Sequence, residues 1–271
     1  MSFSEAVNKH LHASVLILSG LLIVLGVNLS ADPVGSMRLV QGFTVLVSDE
    51  WWKVFNIFGH FLGAACLLLF MTRSHFMVWT VLAASAIGGA VSTTLKLIFD
   101  APRPAHVMQE HLHIIGETLL QGSMPSGHAM TIGMVAGLSL ALYPRLSAIG
   151  KRIAWVVCAL VIFVCLARIA SGAHWPADVC VGAGLGLALG VQIGRLMLAR
   201  IHRLRRSEWF TEWFNQAARL LIAISLIVIP LAPSCSADAS VALGLALAFW
   251  QLRGWHRIQR SWFPNPKSSK T

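Results

Sequence analysis

Three polar clusters interrupt an otherwise apolar chain. KLIFDAPRP, Lys96 to Pro104, puts six residues between a lysine and an arginine; MPSGH spans Met124 to His128; and ARIASGAHWPAD, Ala167 to Asp178, spaces Arg168, His174 and Asp178 by five and then three residues. Any one of these alone reads as a snorkelling or loop residue. Together, a Lys, two Arg, two His and an Asp at membrane depth are costly enough to read as a site. Three permanent cations around one pocket call for an anion, and phosphate suits the planar forks of Arg103 and Arg168 together with the point charge of Lys96. Ser126 and Gly127 precede a helical run as an N-cap and a close-approach glycine, so free N–H groups and the positive dipole end would face the same anion. Pro176 suits a first helical turn, and Asp178 suits it electrostatically. His174 and Asp178 are four apart, within reach for the carboxylate to orient the ring if that helix starts early.

The elements that position these clusters are membrane spans. The chain has 271 residues, of which 56% are hydrophobic and 12% charged, and its mean hydropathy is +0.70, outside the usual range of soluble domains. Eight runs approach the length a bilayer requires: Leu11 to Leu29, Val54 to Met71, Phe76 to Phe99, His128 to Leu142, Ile153 to Ala170, Ala177 to Leu198, Ala217 to Leu231 and Ser240 to Leu252. The fold expected is all-α, a polytopic transmembrane helical bundle of eight spans, or of six with a re-entrant hairpin, since the fourth, seventh and eighth runs are short. The first run is too long for a signal-peptide core and is read as a retained span. Between the sixth and seventh runs, IHRLRRSEWFTEWF sets Arg203, Arg205 and Arg206 beside Trp209 and Trp213, the pattern of an interfacial helix.

The net charge of +10 could suggest nucleic acid, but the basic residues flank apolar runs, where topology and anionic lipid explain them better. Loops holding Arg145, Lys151, Arg152, Arg203, Arg205, Arg206 and the C-terminal basic residues read as cytoplasmic, with both termini on that side. The three clusters then share the opposite face, periplasmic in a bacterial inner membrane. The five cysteines are too scattered for a disulfide framework and read as small buried hydrophobes. His106, His111 and His113 have no Cys or carboxylate at convincing metal-ligand spacing and read as loop residues. His60 reads as a polar residue hydrogen-bonded within the bundle.

The clusters resemble the signature of the type 2 phosphatidic acid phosphatase superfamily, which also takes in glucose 6-phosphatase and vanadium haloperoxidases. That signature runs Lys, six residues, Arg-Pro; Pro-Ser-Gly-His; and Ser-Arg, five residues, His, three residues, Asp. All three blocks are present in order, with one departure: Ala167 stands where the family usually has Ser, which removes one supporting hydrogen bond. The resemblance covers about Phe55 to Leu198 and implies a six-helix core within residues 1–200, followed by an interfacial segment at 201–216 and a C-terminal hairpin with a basic tail at 217–271. It further implies that His174 attacks phosphorus, that Asp178 holds its ring, and that His128 protonates the leaving oxygen and then activates water. Lys96, Arg103, Ser126, Gly127 and Arg168 would bind the phosphoryl oxygens, with no metal or other cofactor required.

The partner so implied is a lipid phosphate within the bilayer; undecaprenyl diphosphate, phosphatidylglycerol phosphate and lipid A all suit it. A lipid phosphotransferase would use the same residues. An anion permease shares the many spans and buried charges but calls for internal symmetry and charge on more than one face, and the sequence shows neither.

Overall fold

The computed structural model describes residues 3–71, 76–108, 112–200, 208–229 and 231–262, and among these it is helical, with no strand. The helices are α1 (Phe3–Leu29), α2 (Pro33–Thr44), α3 (Asp49–Gly59), α4 (Phe61–Met71), α5 (Phe76–Phe99), α6 (Pro104–Met108), α7 (Gly127–Leu142), α8 (Ala148–Ala170), α9 (Pro176–Arg200), α10 (Glu208–Val228) and α11 (Ala237–Trp262). Local chemistry marks several ends. Asp32 caps α2 by accepting from the Gly35 N–H at 2.9 Å, with Pro33 in the first turn. Ser147 caps α8 from the Gly150 N–H at 3.2 Å, and Gly172, at φ +67°, turns the chain from α8 toward α9.

Among the described residues four stretches are long and apolar enough to cross a bilayer: His10–Leu29, Met77–Met108, Ala148–Ala170 and Pro176–Ala199. A fifth span is a broken one, α3 and α4 meeting at 68°. Of the eight expected spans, the fourth, seventh and eighth are the short ones, as their runs in the sequence are. Helix α7 has 16 residues, about 24 Å at 1.5 Å per residue, and the apolar parts of α10 and α11, Trp213–Val228 and Ala237–Leu252, are as short. A hydrocarbon core is roughly 30 Å thick. The six-helix core is α1, the α3–α4 pair, α5, α7, α8 and α9, with α10 and α11 packed as a hairpin against α4. Residues 201–207 of the expected interfacial segment lie outside the described residues, as do His111 and the end of the basic tail.

Helix α7 is the axis of the bundle. It lies against α9, α8, α3 and α4 and buries both its polar start and its apolar body. Its approach to α9 is set by glycine: a Cβ at Gly186 would run into the Met130 carbonyl, so the two backbones touch as small-residue membrane interfaces allow. The rim of the bundle is apolar. Ile17, Leu21 and Val24 on α1, Trp155 and Ile162 on α8, and Leu221 on α10 all face outward, an exposed apolar surface on a scale that lipid, not water, covers.

Candidate active site

The motif residues sit on four different elements that end at one end of the bundle. Lys96 is in the last turn of α5, His128 in the first turn of α7, Arg168 in the last turn of α8, and Asp178 in the first turn of α9. Arg103 follows α5, and His174 lies in the short loop between α8 and α9. Lys96, Arg103, Gly127, His128, Arg168 and His174 line one cavity of about 250 Å³.

The His174 ring is 2% exposed and Asp178 1%, with Nδ1 of the ring 3.5 Å from Oδ2 of the carboxylate. Helix α9 starts at Pro176, after His174, so the pair does not rely on helical spacing. Oδ2 instead bends back to accept from the Trp175 N–H at 2.9 Å and from the Ser123 hydroxyl, a self-capping geometry that brings the carboxylate under the ring. Trp175 is pinned in turn, its indole N–H donating to the Pro102 carbonyl at 2.8 Å. Burial, followed by the charges of Arg168, Arg103 and Lys96, pushes the His174 pKa well below the ordinary imidazole value. A neutral ring with Nδ1 toward Asp178 leaves Nε2 as the nucleophilic atom.

The cations are braced by backbone carbonyls. Lys96 donates from Nζ to the Gly122 carbonyl. Arg103 donates from Nε to Gln121 O at 2.8 Å, from Nη1 to Ala173 O at 3.0 Å and from Nη2 to Gly122 O at 3.3 Å, which leaves two of its five N–H groups free of these bonds. Ser126 Oγ, His128 Nε2 and Arg168 Nε are buried without a hydrogen-bond partner among the described residues. Buried polar atoms left without protein partners are uncommon, and those of His128 and Arg168, which both line the cavity, are what an anionic ligand would satisfy.

One expectation at the start of α7 needs correction. Ser126 occupies the N-cap position but makes no side-chain cap bond; its N–H donates to the Asp178 carbonyl at 3.1 Å, tying α7 to α9. Gly127 lines the cavity, and a Cβ there would meet no protein atom nearer than Ser92 Oγ at 3.7 Å. The tight glycine is Gly59, where a Cβ would stand 2.7 Å from Cβ and 2.8 Å from Cδ2 of His128. His60 is also nearer the chemistry than its sequence context implied. It stands at the break between α3 and α4, its Nδ1 accepts from the Leu62 N–H at 3.4 Å, and its ring is edge-on to that of His128 with centroids 6.3 Å apart. His113, expected as a free loop residue, pairs through Nε2 with Asp49 at 2.9 Å. Among the described residues no cluster of His, Cys, Asp or Glu is arranged to hold a metal.

Sequence reasoning passed over Asn56, Ser123 and the loop before α11. Asn56 is fully buried and accepts at Oδ1 from Nη1 of Arg168 at 3.2 Å. The only signal in the sequence was a lone amide within an apolar stretch.

Residues 77–206 match the family model of the PAP2 superfamily, and this stretch contains every motif residue from Lys96 to Asp178. The chain is 27% identical over 181 residues to a lipid A 1-phosphatase of Rhizobium etli, covering 62% of this chain and 75% of that one. A lipid A 1-phosphatase of Rhizobium johnstonii is 26% identical over 185 residues, covering 64% and 72%. The fold is similar to that of a transmembrane PAP2-type phosphatidylglycerolphosphate phosphatase from Bacillus subtilis, with a TM-score of 0.50 at 19% identity over 71% of this chain and 98% of the other. A multi-pass helical bundle with a cation-walled pocket at its end is thereby an integral-membrane phosphatase. The stretch at 77–206 carries the PAP2 superfamily match, and the chain is a membrane lipid phosphatase of the type 2 phosphatidic acid phosphatase kind.

Proposed function

We propose that this phosphatase removes a phosphate from lipid A, or a closely similar glycolipid phosphate, at the outer leaflet of the inner membrane through a phosphohistidine formed on His174. The observation that carries the proposal is the His174–Asp178 pair, 3.5 Å apart, in a pocket walled by Lys96, Arg103 and Arg168. In the first step Nε2 of His174 bonds to phosphorus as the bond to the lipid oxygen breaks, and His128 gives that oxygen a proton. In the second, His128 takes a proton from water, the water oxygen bonds to phosphorus, and the N–P bond breaks to release phosphate and restore the ring. The cations hold the equatorial oxygens, where the charge of a loose phosphoryl transition state lies. Asp178 keeps Nδ1 protonated and stabilises positive charge on the ring.

A lipid tail has a place beside this chemistry. An apolar cavity of about 370 Å³ lies between α4, α5 and α7, lined by Ala64, Leu68, Val81, Gly88 and Met134, and it reaches Gly127 and His128 at the site. The choice of lipid A over other lipid phosphates is supported by the two rhizobial relatives. The test is release of phosphate from lipid A in detergent with excess chelator, comparing wild type with His174→Ala and locating the lost phosphate by mass spectrometry. Release that the substitution abolishes is the expected result. Release that persists in His174→Ala, or that the chelator stops, would overturn the mechanism.

A further inference from the structure

The pocket has a wall that its motifs do not supply. Ala232, Pro233 and Ser234, in the loop joining α10 to α11, line the same cavity as the motif residues, facing Ile115, Glu117 and Leu119 of the segment before α7. Both sides of this mouth are fastened. The Cys235 N–H donates to the Ala232 carbonyl at 2.7 Å, closing a turn with Pro233 at a position that favours it, and the Ser236 N–H donates to the Lys53 carbonyl on α3 at 3.2 Å. On the facing side, the Ile115 N–H donates to the Ser171 carbonyl at 3.2 Å. The two segments meet at Gly116, whose φ is +93° and where a Cβ would lie 2.8 Å from the Ser234 nitrogen.

One buried side chain links this wall to the phosphate pocket. Asn56 donates from Nδ2 to the Ser234 carbonyl at 3.0 Å while Oδ1 accepts from Arg168 Nη1 at 3.2 Å. The amide therefore has its donor on the loop and its acceptor on the guanidinium, and neither end can turn without breaking both bonds. Asn56 and the loop both lie outside the motif-bearing stretch at 77–206, so this wall is a contribution of the flanking segments.

We infer that the α10–α11 loop is the specificity-determining wall of the site, selecting the group that carries the phosphate, and that Asn56 is the positioning residue that fixes Arg168 against it. The wall sets Glu117, with its carboxylate, beside Ile115, Leu119, Ala232 and Pro233, a lining suited to a hydroxyl-bearing head group such as a sugar and unsuited to a second anion. This inference rests on the phosphatase reading above, and its test separates the two.

Kinetics on lipid A and on p-nitrophenyl phosphate, which shares the phosphate but not the head group, decide the matter. Pro233→Trp narrows the mouth at an exposed position and is expected to raise KM for lipid A about 10-fold while changing kcat/KM for p-nitrophenyl phosphate less than about threefold. Ala232→Phe gives the same comparison from the other side of the turn. Asn56→Leu, similar in size but unable to hold either partner, is expected to lower kcat/KM on both substrates by about 10- to 100-fold and to weaken inhibition by orthovanadate in parallel, with little added effect when Arg168→Gln is already present. Equal loss on both substrates in the loop variants, or Asn56→Leu acting additively with Arg168→Gln, overturns the inference. If wild type turns over neither substrate, the phosphatase reading itself fails. Protection of the protein against thermal unfolding by orthovanadate then still tests the link, and protection unchanged by Asn56→Leu sinks it.

Discussion

Oδ2 of Asp178 stands 3.5 Å from Nδ1 of His174 while the same oxygen accepts from Ser123 and from the Trp175 N–H. The carboxylate is thus held by its own helix start and by the segment before α7, and the ring is presented to it. Catalytic hydrogen bonds are often long without substrate and tighten when the ligand arrives. The proposed role gives Asp178→Asn a definite signature. An amide of the same shape cannot stabilise a positive ring, so kcat on lipid A should fall by about 10²- to 10⁴-fold with KM nearly unchanged. Single-turnover kinetics checks this, and a kcat within threefold of wild type would remove Asp178 from the mechanism.

Ser123 should matter for the same reason at one remove. Its hydroxyl is fully buried and donates to the carboxylate, and a hydrogen bond to a charged buried group contributes about 1.5–3 kcal/mol. Ser123→Ala should therefore lower both the melting temperature and kcat, whereas Ser123→Cys, a weaker donor of similar size, should fall between. A variant with wild-type kcat and wild-type stability would show that the bond contributes to neither.

The contrast between Ser123 and Asp178 also shows which parts of the site the sequence made legible. Lys96, Arg103, His128, Arg168, His174 and Asp178 stood out because ionisable residues are rare in apolar surroundings and their spacings are distinctive. Helix α7 is read within a residue of its observed start, since the polar-to-apolar change at His128 is abrupt. The break at His60 was hidden because nothing in Phe58 to Phe61 departs from an apolar run apart from one histidine. Asn56 and Ser234 were hidden for a deeper reason: they join residues 178 positions apart, and no local period records a tertiary contact. The eight expected spans outnumber the four or five long apolar ones among the described residues because α7, α10 and α11 are short, although α7, packed among its neighbours, still carries the chain from the pocket end to the turn at Arg145.

On the proposed mechanism, the lowered pKa of His174 should set the acid side of the activity profile. Burial and then the charges of Arg168, Arg103 and Lys96 disfavour the protonated ring, so in the folded protein the ring stays neutral at pH values where a free imidazole, near 6.5, would take up a proton. Protonation disables Nε2 as a nucleophile only below the lowered value. With the ionisation of the substrate allowed for, the acid limb of kcat/KM should fall below about pH 6.5. A limb assigned to His174 at or above that value would mean that neither burial nor the three cations hold the ring neutral.

Gly59 tests whether His128 must sit where it does. An alanine Cβ there would press on Cβ and Cδ2 of His128, at 2.7 and 2.8 Å, and either the ring or the α3–α4 break has to move. Gly59→Ala should lower kcat about 10²-fold, the scale of one general acid–base group, while orthovanadate inhibition, which depends on the cations, is retained. Loss of both in parallel would mean that the substitution disturbs the fold and not His128 alone.

The proposed orientation follows from where the site sits relative to the loops. Helix α7 runs from His128 to the turn at Arg145, and α8 returns from Lys151 and Arg152 to Arg168, so these loop cations lie at the end of the bundle away from the pocket. Helix α9 likewise leads from Asp178 to Arg200. Arginine and lysine are retained on the cytoplasmic side of short loops, and on that ground we propose that the Arg145 end is cytoplasmic and the pocket periplasmic. The pocket end holds Arg38, Lys53, Lys96, Arg103 and Arg168, of which the last three belong to the site and are buried or bonded to carbonyls, so only Arg38 and Lys53 weigh against the count at the other end. Alkaline phosphatase fused after Met108 should be active and fused after Arg145 inactive, with a fluorescent protein giving the opposite pattern. Reversed signals would turn the bundle over and move the substrate to the inner leaflet, where a product of cytoplasmic lipid synthesis would replace an exported glycolipid as the molecule to test.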